Sequence, residues 1–193
     1  MSAFGWGQAP AGLVFITSEA FQPILHEENQ LYSEGVNERI AHEIAHQYWG
    51  SVVKMPSHEE QWLSESFAEY SAALLLKKFQ GDAIYNRLIA HWKGNAKVAA
   101  ATAPIPLANR IRTLNNFDWQ RVHLLYSKGP LLLAALHKEV GDDAFLTFMK
   151  SYQKSFRFKF GTTKDVAGLL GVVAKKDFKP FMDKYYWGLE TPQ

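Results

Sequence analysis

The chain has 193 residues, with 21 Lys and Arg against 19 Asp and Glu, and its basic residues are scattered apart from short runs such as Lys175 and Lys176. That balance excludes an extended polyanion-binding face, so no nucleic-acid partner is expected. With 47% hydrophobic residues the chain can bury one packed core, zero cysteines exclude disulfides and thiolate metal sites, and no apolar run approaches a membrane span.

In chain order, the apolar and β-branched run from Leu13 to Thr17 predicts an edge strand. A helix follows around "RIAHEIAHQYWG", with Ile40, Ile44 and Tyr48 as its core face, His42 and His46 on the opposite, cleft face, and Gly50 as its stop. Ser57 and Glu60 read as a capping box for a second helix, whose apolar positions include Leu63, Phe67, Leu74 and Leu75 before Gly81 ends it. Asp82 is placed to cap a third helix running to about Trp92, and a loop containing Pro104 and Pro106 leads to the segment carrying Tyr126. Gly141 and Asp142 mark a stop and a restart, Phe145, Phe148 and Met149 form a core stripe, and Thr162 with Asp165 opens a further helix as a capping box. The expected fold is mostly α (α+β): one domain over 1–193, with an edge-strand region at 1–20, metal-binding helices at 35–81 and a helical subdomain at 82–193.

The chemistry sits in "HEIAHQYWG". Residues i and i+4 of a helix share a face, so His42 and His46 can present their imidazoles to one metal ion while Glu43 stands beside it. This is the HExxH arrangement of zinc peptidases. Alone it arises by chance in roughly one such chain in seventy; Glu65, separated from His46 by 18 residues as in the gluzincin peptidases, lowers that to about one in a thousand. Catalytic zinc commonly takes a His2Glu ligand set and keeps a fourth position for water. Glu69, one turn beyond Glu65, can accept the other ring N–H of a ligand histidine. His26, His58, His91, His123 and His137 have no partner at ligand spacing and read as structural or solvated.

"HEIAHQYWG" followed by "WLSESFAEY" resembles the aminopeptidase N family of gluzincins, whose pattern is close to HELAHQWFG and then WLNEGFA. "LLYSKGPLLLAAL" resembles that family's Y-x-K-G segment, and "KDFKPFMDKYYWGLETP" the end of its thermolysin-like catalytic domain. The resemblance implies one zinc per chain held by His42, His46 and Glu65, Glu43 as general base, and Tyr126 donating its hydroxyl to the oxyanion of the tetrahedral intermediate. It implies hydrolysis of peptides by zinc-activated water, by an aminopeptidase, within a longer protein that has an N-terminal β-domain; any targeting signal would lie there, so the compartment stays unread. One departure stands out. Aligned on Gly12 and Leu13, the family's G-A-M-E-N glutamate, which holds the substrate's α-amino group, falls on Ala9, and its asparagine on Pro10. A related zinc peptidase indifferent to a free N-terminus, or a binding module that keeps the metal scaffold without catalysis, are the alternatives.

Overall fold

The computed structural model describes residues 7–21, 38–100, 103–110 and 119–193. Two short antiparallel strands, β1 (Gly7–Gln8) and β2 (Phe15–Ile16), pair Gly7 with Ile16 and Gln8 with Phe15. The edge strand is thus shorter than the apolar run that predicts it. The helices are α1 (Arg39–Ala45), α2 (Trp62–Gln80), α3 (Asp82–Ala100), α4 (Trp119–His123), α5 (Gly129–Val140), α6 (Asp142–Ser155), α7 (Thr163–Ala174) and α8 (Lys179–Tyr185). A single wider turn, Leu124–Lys128, joins α4 to α5. None of these helices is long and apolar enough to cross a membrane.

The axis of the molecule is α2. Trp62, Phe67 and Tyr70 along it are fully buried, and small residues Ala68, Ala72 and Ala73 let α1, α3 and α5 approach closely. Trp49 packs on Phe67 with ring centroids 4.8 Å apart, and Trp62 packs on Phe67 at 5.3 Å and on Tyr186 at 5.1 Å. Each such buried aromatic stabilises the fold by roughly 1.5–3 kcal/mol. The Trp62 indole donates to Thr163 Oγ1 at 2.7 Å across 101 residues, so α7 docks against the start of α2.

Several local expectations change in the fold. The capping box at Ser57 does not form: Ser57 makes no capping hydrogen bond, and Glu60 instead accepts from the Thr163 backbone N–H at 3.1 Å and from its hydroxyl. A tertiary partner outcompetes the local one, and α2 begins at Trp62. The Ile40, Ile44 and Tyr48 side of α1 is not its core face, since Ile44 and Tyr48 are 49% and 57% exposed while Arg39, His42, Glu43 and Ala45 are buried. The polar face goes inward because α2 supplies carboxylates to pair with it. Helix α3 runs eight residues past Trp92, carried by Leu88, Trp92, Ala96 and Ala99 on one buried stripe. The segment with Pro104 and Pro106 includes a 3-10 turn, Ile105–Arg110. The stop at Gly141 and the Thr162–Asp165 capping box form as expected, Phe145 and Phe148 are buried, and Met149 packs at the core's edge.

Candidate metal centre

Helix α1 and the start of α2 bring His42, His46 and Glu65 together, with one ligand atom from each lying within 4.8 Å of the others. The two Nε2 atoms are 3.0 Å apart, and Glu65 Oε2 lies 3.7 Å from His42 Nε2 and 3.4 Å from His46 Nε2. The opposite ring nitrogens fix the tautomers. His42 Nδ1 donates to Glu69 Oε2 at 2.8 Å, and His46 Nδ1 to the Trp49 carbonyl at 3.0 Å. Carboxylate and carbonyl oxygens only accept, so Nδ1 of each ring carries a proton and the two Nε2 atoms are the ones that face each other and Glu65. Two ring nitrogens and a carboxylate facing one point suit a shared cation, a proton or a metal ion.

The electrostatics express the same demand. Burial alone would lower the His42 pKa, but the Glu65 and Glu69 carboxylates on either side of the ring raise it to about 10. Burial would likewise raise Glu65, yet the adjoining His42 and His46 rings and the Tyr126 hydroxyl hold it well below the usual carboxylate range. The residues present therefore fit a divalent metal, and a His2Glu set of this hardness suits zinc.

Around these three side chains stand the other expected residues. Glu43 is 7% exposed, and burial raises its pKa against the opposing pull of His42 and His46. Strand β1 presses on it: a Cβ at Gly7 would meet Glu43 Oε1 at 2.1 Å, so a side chain there would push the carboxylate from its place. Gln47 pins the turn between the strands, donating to the carbonyls of Pro10 and Leu13 at 3.1 and 3.3 Å and accepting from Gly12 N at 2.7 Å. The Tyr126 hydroxyl donates to Glu65 Oε2 at 2.6 Å, and burial with the nearby Glu65 charge keeps the phenol protonated far above its ordinary pKa. The Tyr126 ring also stacks on His42, centroids 5.6 Å apart.

Some residues of the site had no sequence signal. Gln61 donates to Glu65 Oε1 at 3.3 Å, and its own Oε1 accepts from Arg121 Nη2 at 3.0 Å, so Glu65 is oriented from both oxygens. Ser64 lies 3.2 Å from His46 Nδ1 and donates to the Trp49 carbonyl at 3.2 Å. Glu38 sits beneath the centre with a buried Oε2 lacking a hydrogen bond, its pKa pushed up to about 7 by burial and then by Glu69. Of the remaining histidines, His137 bridges the Tyr70 hydroxyl and Asp142 at 2.8 Å each, His91 bonds Asn95 at 2.9 Å, and His123 Nδ1 is buried without a hydrogen bond; His26 lies outside the described residues.

The model of the "Peptidase family M1 domain" matches residues 10–185. The chain belongs to peptidase family M1. This M1 chain is 29% identical over 164 residues to the aminopeptidase N of Lactococcus lactis, an alignment covering 79% of this chain and 18% of that protein. It is 23% identical over 172 residues to the mitochondrial aminopeptidase 2 of Saccharomyces cerevisiae, covering 87% of this chain and again 18% of the relative. The M1 chain thus spans under a fifth of the length of these curated relatives. Among solved structures, the M1 zinc metallopeptidase of Deinococcus radiodurans shares its fold with a TM-score of 0.69 at 23% identity, covering 97% of this chain and 38% of the other.

Proposed function

We propose that this M1 chain carries the hydrolytic centre of a zinc aminopeptidase, with one zinc per chain held by His42, His46 and Glu65. The observation that carries the reading is the pair of Nδ1-anchored imidazoles aimed at one point beside the Glu65 carboxylate. Zinc bound there supplies Lewis acidity, polarising water and the scissile carbonyl. Everything else falls to side chains. Glu43, a carboxylate with a raised pKa beside the ligands, takes the proton of the attacking water and passes one to the leaving amine. Tyr126, kept protonated by its surroundings, turns its hydroxyl from Glu65 toward the oxygen on which negative charge develops. Gly7 and Gln47 hold β1 and β2 along the cleft, where an extended peptide can lie against the strand edge.

A second reading rests on Ala9: with no carboxylate at that position to receive a substrate ammonium, the centre serves a peptidase that does not require a free N-terminus. The deciding experiment uses the protein as its gene encodes it. Elemental analysis gives one zinc, lost in His42→Ala; Glu43→Gln keeps that zinc while hydrolysis falls by about 10² to 10⁴. Near-normal turnover by Glu43→Gln overturns the reading.

A further inference from the structure

The Tyr126 segment is held by a contact that no family motif in the sequence contains. In the wider turn the Gly129 N–H bonds the Leu124 carbonyl, five residues back, where an α-helix would use the Leu125 carbonyl. The Leu125 carbonyl therefore passes to the next donor in that register, residue 130. That residue is proline and has no N–H. A buried carbonyl without a donor costs as much as a lost hydrogen bond, so something must replace the backbone here.

Ser66 does so. Its hydroxyl donates to the Leu125 carbonyl at 2.6 Å, and the side chain is 0% exposed. Gly129 makes the room, since a Cβ at that position would meet Ser66 Oγ at 1.9 Å. Ser66 stands where the WLNEGFA pattern has glycine, so that pattern does not include this hydroxyl. Ser66 follows Glu65 on α2, and Leu125 precedes Tyr126 on the turn. The backbone tie thus runs alongside the Tyr126–Glu65 hydrogen bond, one residue over on each element.

We infer that Ser66 is a positioning residue for Tyr126, its hydroxyl standing in for the backbone donor that Pro130 removes and so holding the phenol in register with Glu65. The inference rests on Tyr126 acting in hydrolysis as proposed above. A hydroxyl held in place matters because transition-state stabilisation depends on prior alignment of the donor.

The test is a double-mutant cycle in the protein as its gene encodes it, combining Ser66→Ala and Pro130→Ala. Ser66→Ala is expected to lower kcat about 10-fold with KM and zinc content within twofold of wild type. Pro130→Ala restores an N–H that can reach the Leu125 carbonyl, and the double variant recovers kcat to within about threefold. Amide exchange at Lys128 and Gly129, followed with and without zinc, accelerates in Ser66→Ala and is restored in the double variant. If Ser66→Ala is recovered only unfolded, the double variant must fold and load zinc; a double variant that also fails to fold overturns the inference. So does a loss in kcat that Pro130→Ala does not rescue, or wild-type kcat and exchange in Ser66→Ala. A wild-type protein without zinc or hydrolysis would instead refute the proposed function, and the exchange measurements would then decide the role of Ser66.

Discussion

Removing the Glu69 charge tests whether the proposed metal centre is tuned from outside its proposed ligands. Glu69 is 6% exposed and its Oε2 accepts the His42 Nδ1–H at 2.8 Å. A net hydrogen bond to a charged partner contributes about 1.5–3 kcal/mol, against about 0.5–1.5 for a neutral one. Glu69→Gln keeps an acceptor and loses the charge, a difference of about 1.4 kcal/mol, or tenfold in affinity. Glu69→Leu removes the acceptor as well, leaves the His42 tautomer unfixed, and should weaken zinc by about 100-fold, the upper end for residues that orient a ligand. Competition against a chromogenic chelator at pH 7.5 measures both constants, with circular dichroism of the metal-free variants verifying the fold. Zinc affinity of folded Glu69→Leu within twofold of wild type would refute the argument, because the imidazole would then need no carboxylate behind it.

Three further outcomes are expected. Tyr126→Phe deletes one donor and almost no volume, and should lower kcat by about 10² to 10³ with zinc retained; a change confined to KM would make Tyr126 a packing residue. With Ala9 in place of a carboxylate, kcat/KM for a free dipeptide amide should exceed that for its acetylated form by less than about 100-fold, or ~2.7 kcal/mol; a larger preference identifies another anchor for the amine. Lys128 is fully buried, its Nζ donating to the Gly188 carbonyl at 2.8 Å, and burial lowers its pKa to about 8. Between that value and its ordinary 10.5 the unfolded chain binds a proton that the folded chain does not, so Lys128 adds stability as pH rises through this window, up to about 3 kcal/mol. Denaturant midpoints at pH 7.5 and 10 should show that gain in wild type relative to Lys128→Met, and equal pH slopes in the two proteins would contradict it.

What was legible in the sequence is what depends on separations of three or four residues or on one fixed spacing. His42 and His46 share a helix face by periodicity alone, Thr162 and Asp165 cap α7 reciprocally, and Gly141 breaks α5 from α6. Glu65 and Glu69 fall one turn apart for the same reason, and each reaches its histidine. Tertiary structure decided the rest, wherever a distant group outbid a local one. Glu60 left its capping box for Thr163, 103 residues away, and α1 turned its histidine face inward because α2 brought carboxylates to it, leaving Ile44 and Tyr48 outside. The Ser66 hydroxyl found the Leu125 carbonyl across 59 residues, and Gln61 found Arg121 across 60. Local hydrogen bonds are encoded in local order, whereas a buried polar atom takes whichever partner the packed helices bring within about 3 Å, and no short stretch of sequence specifies which that will be.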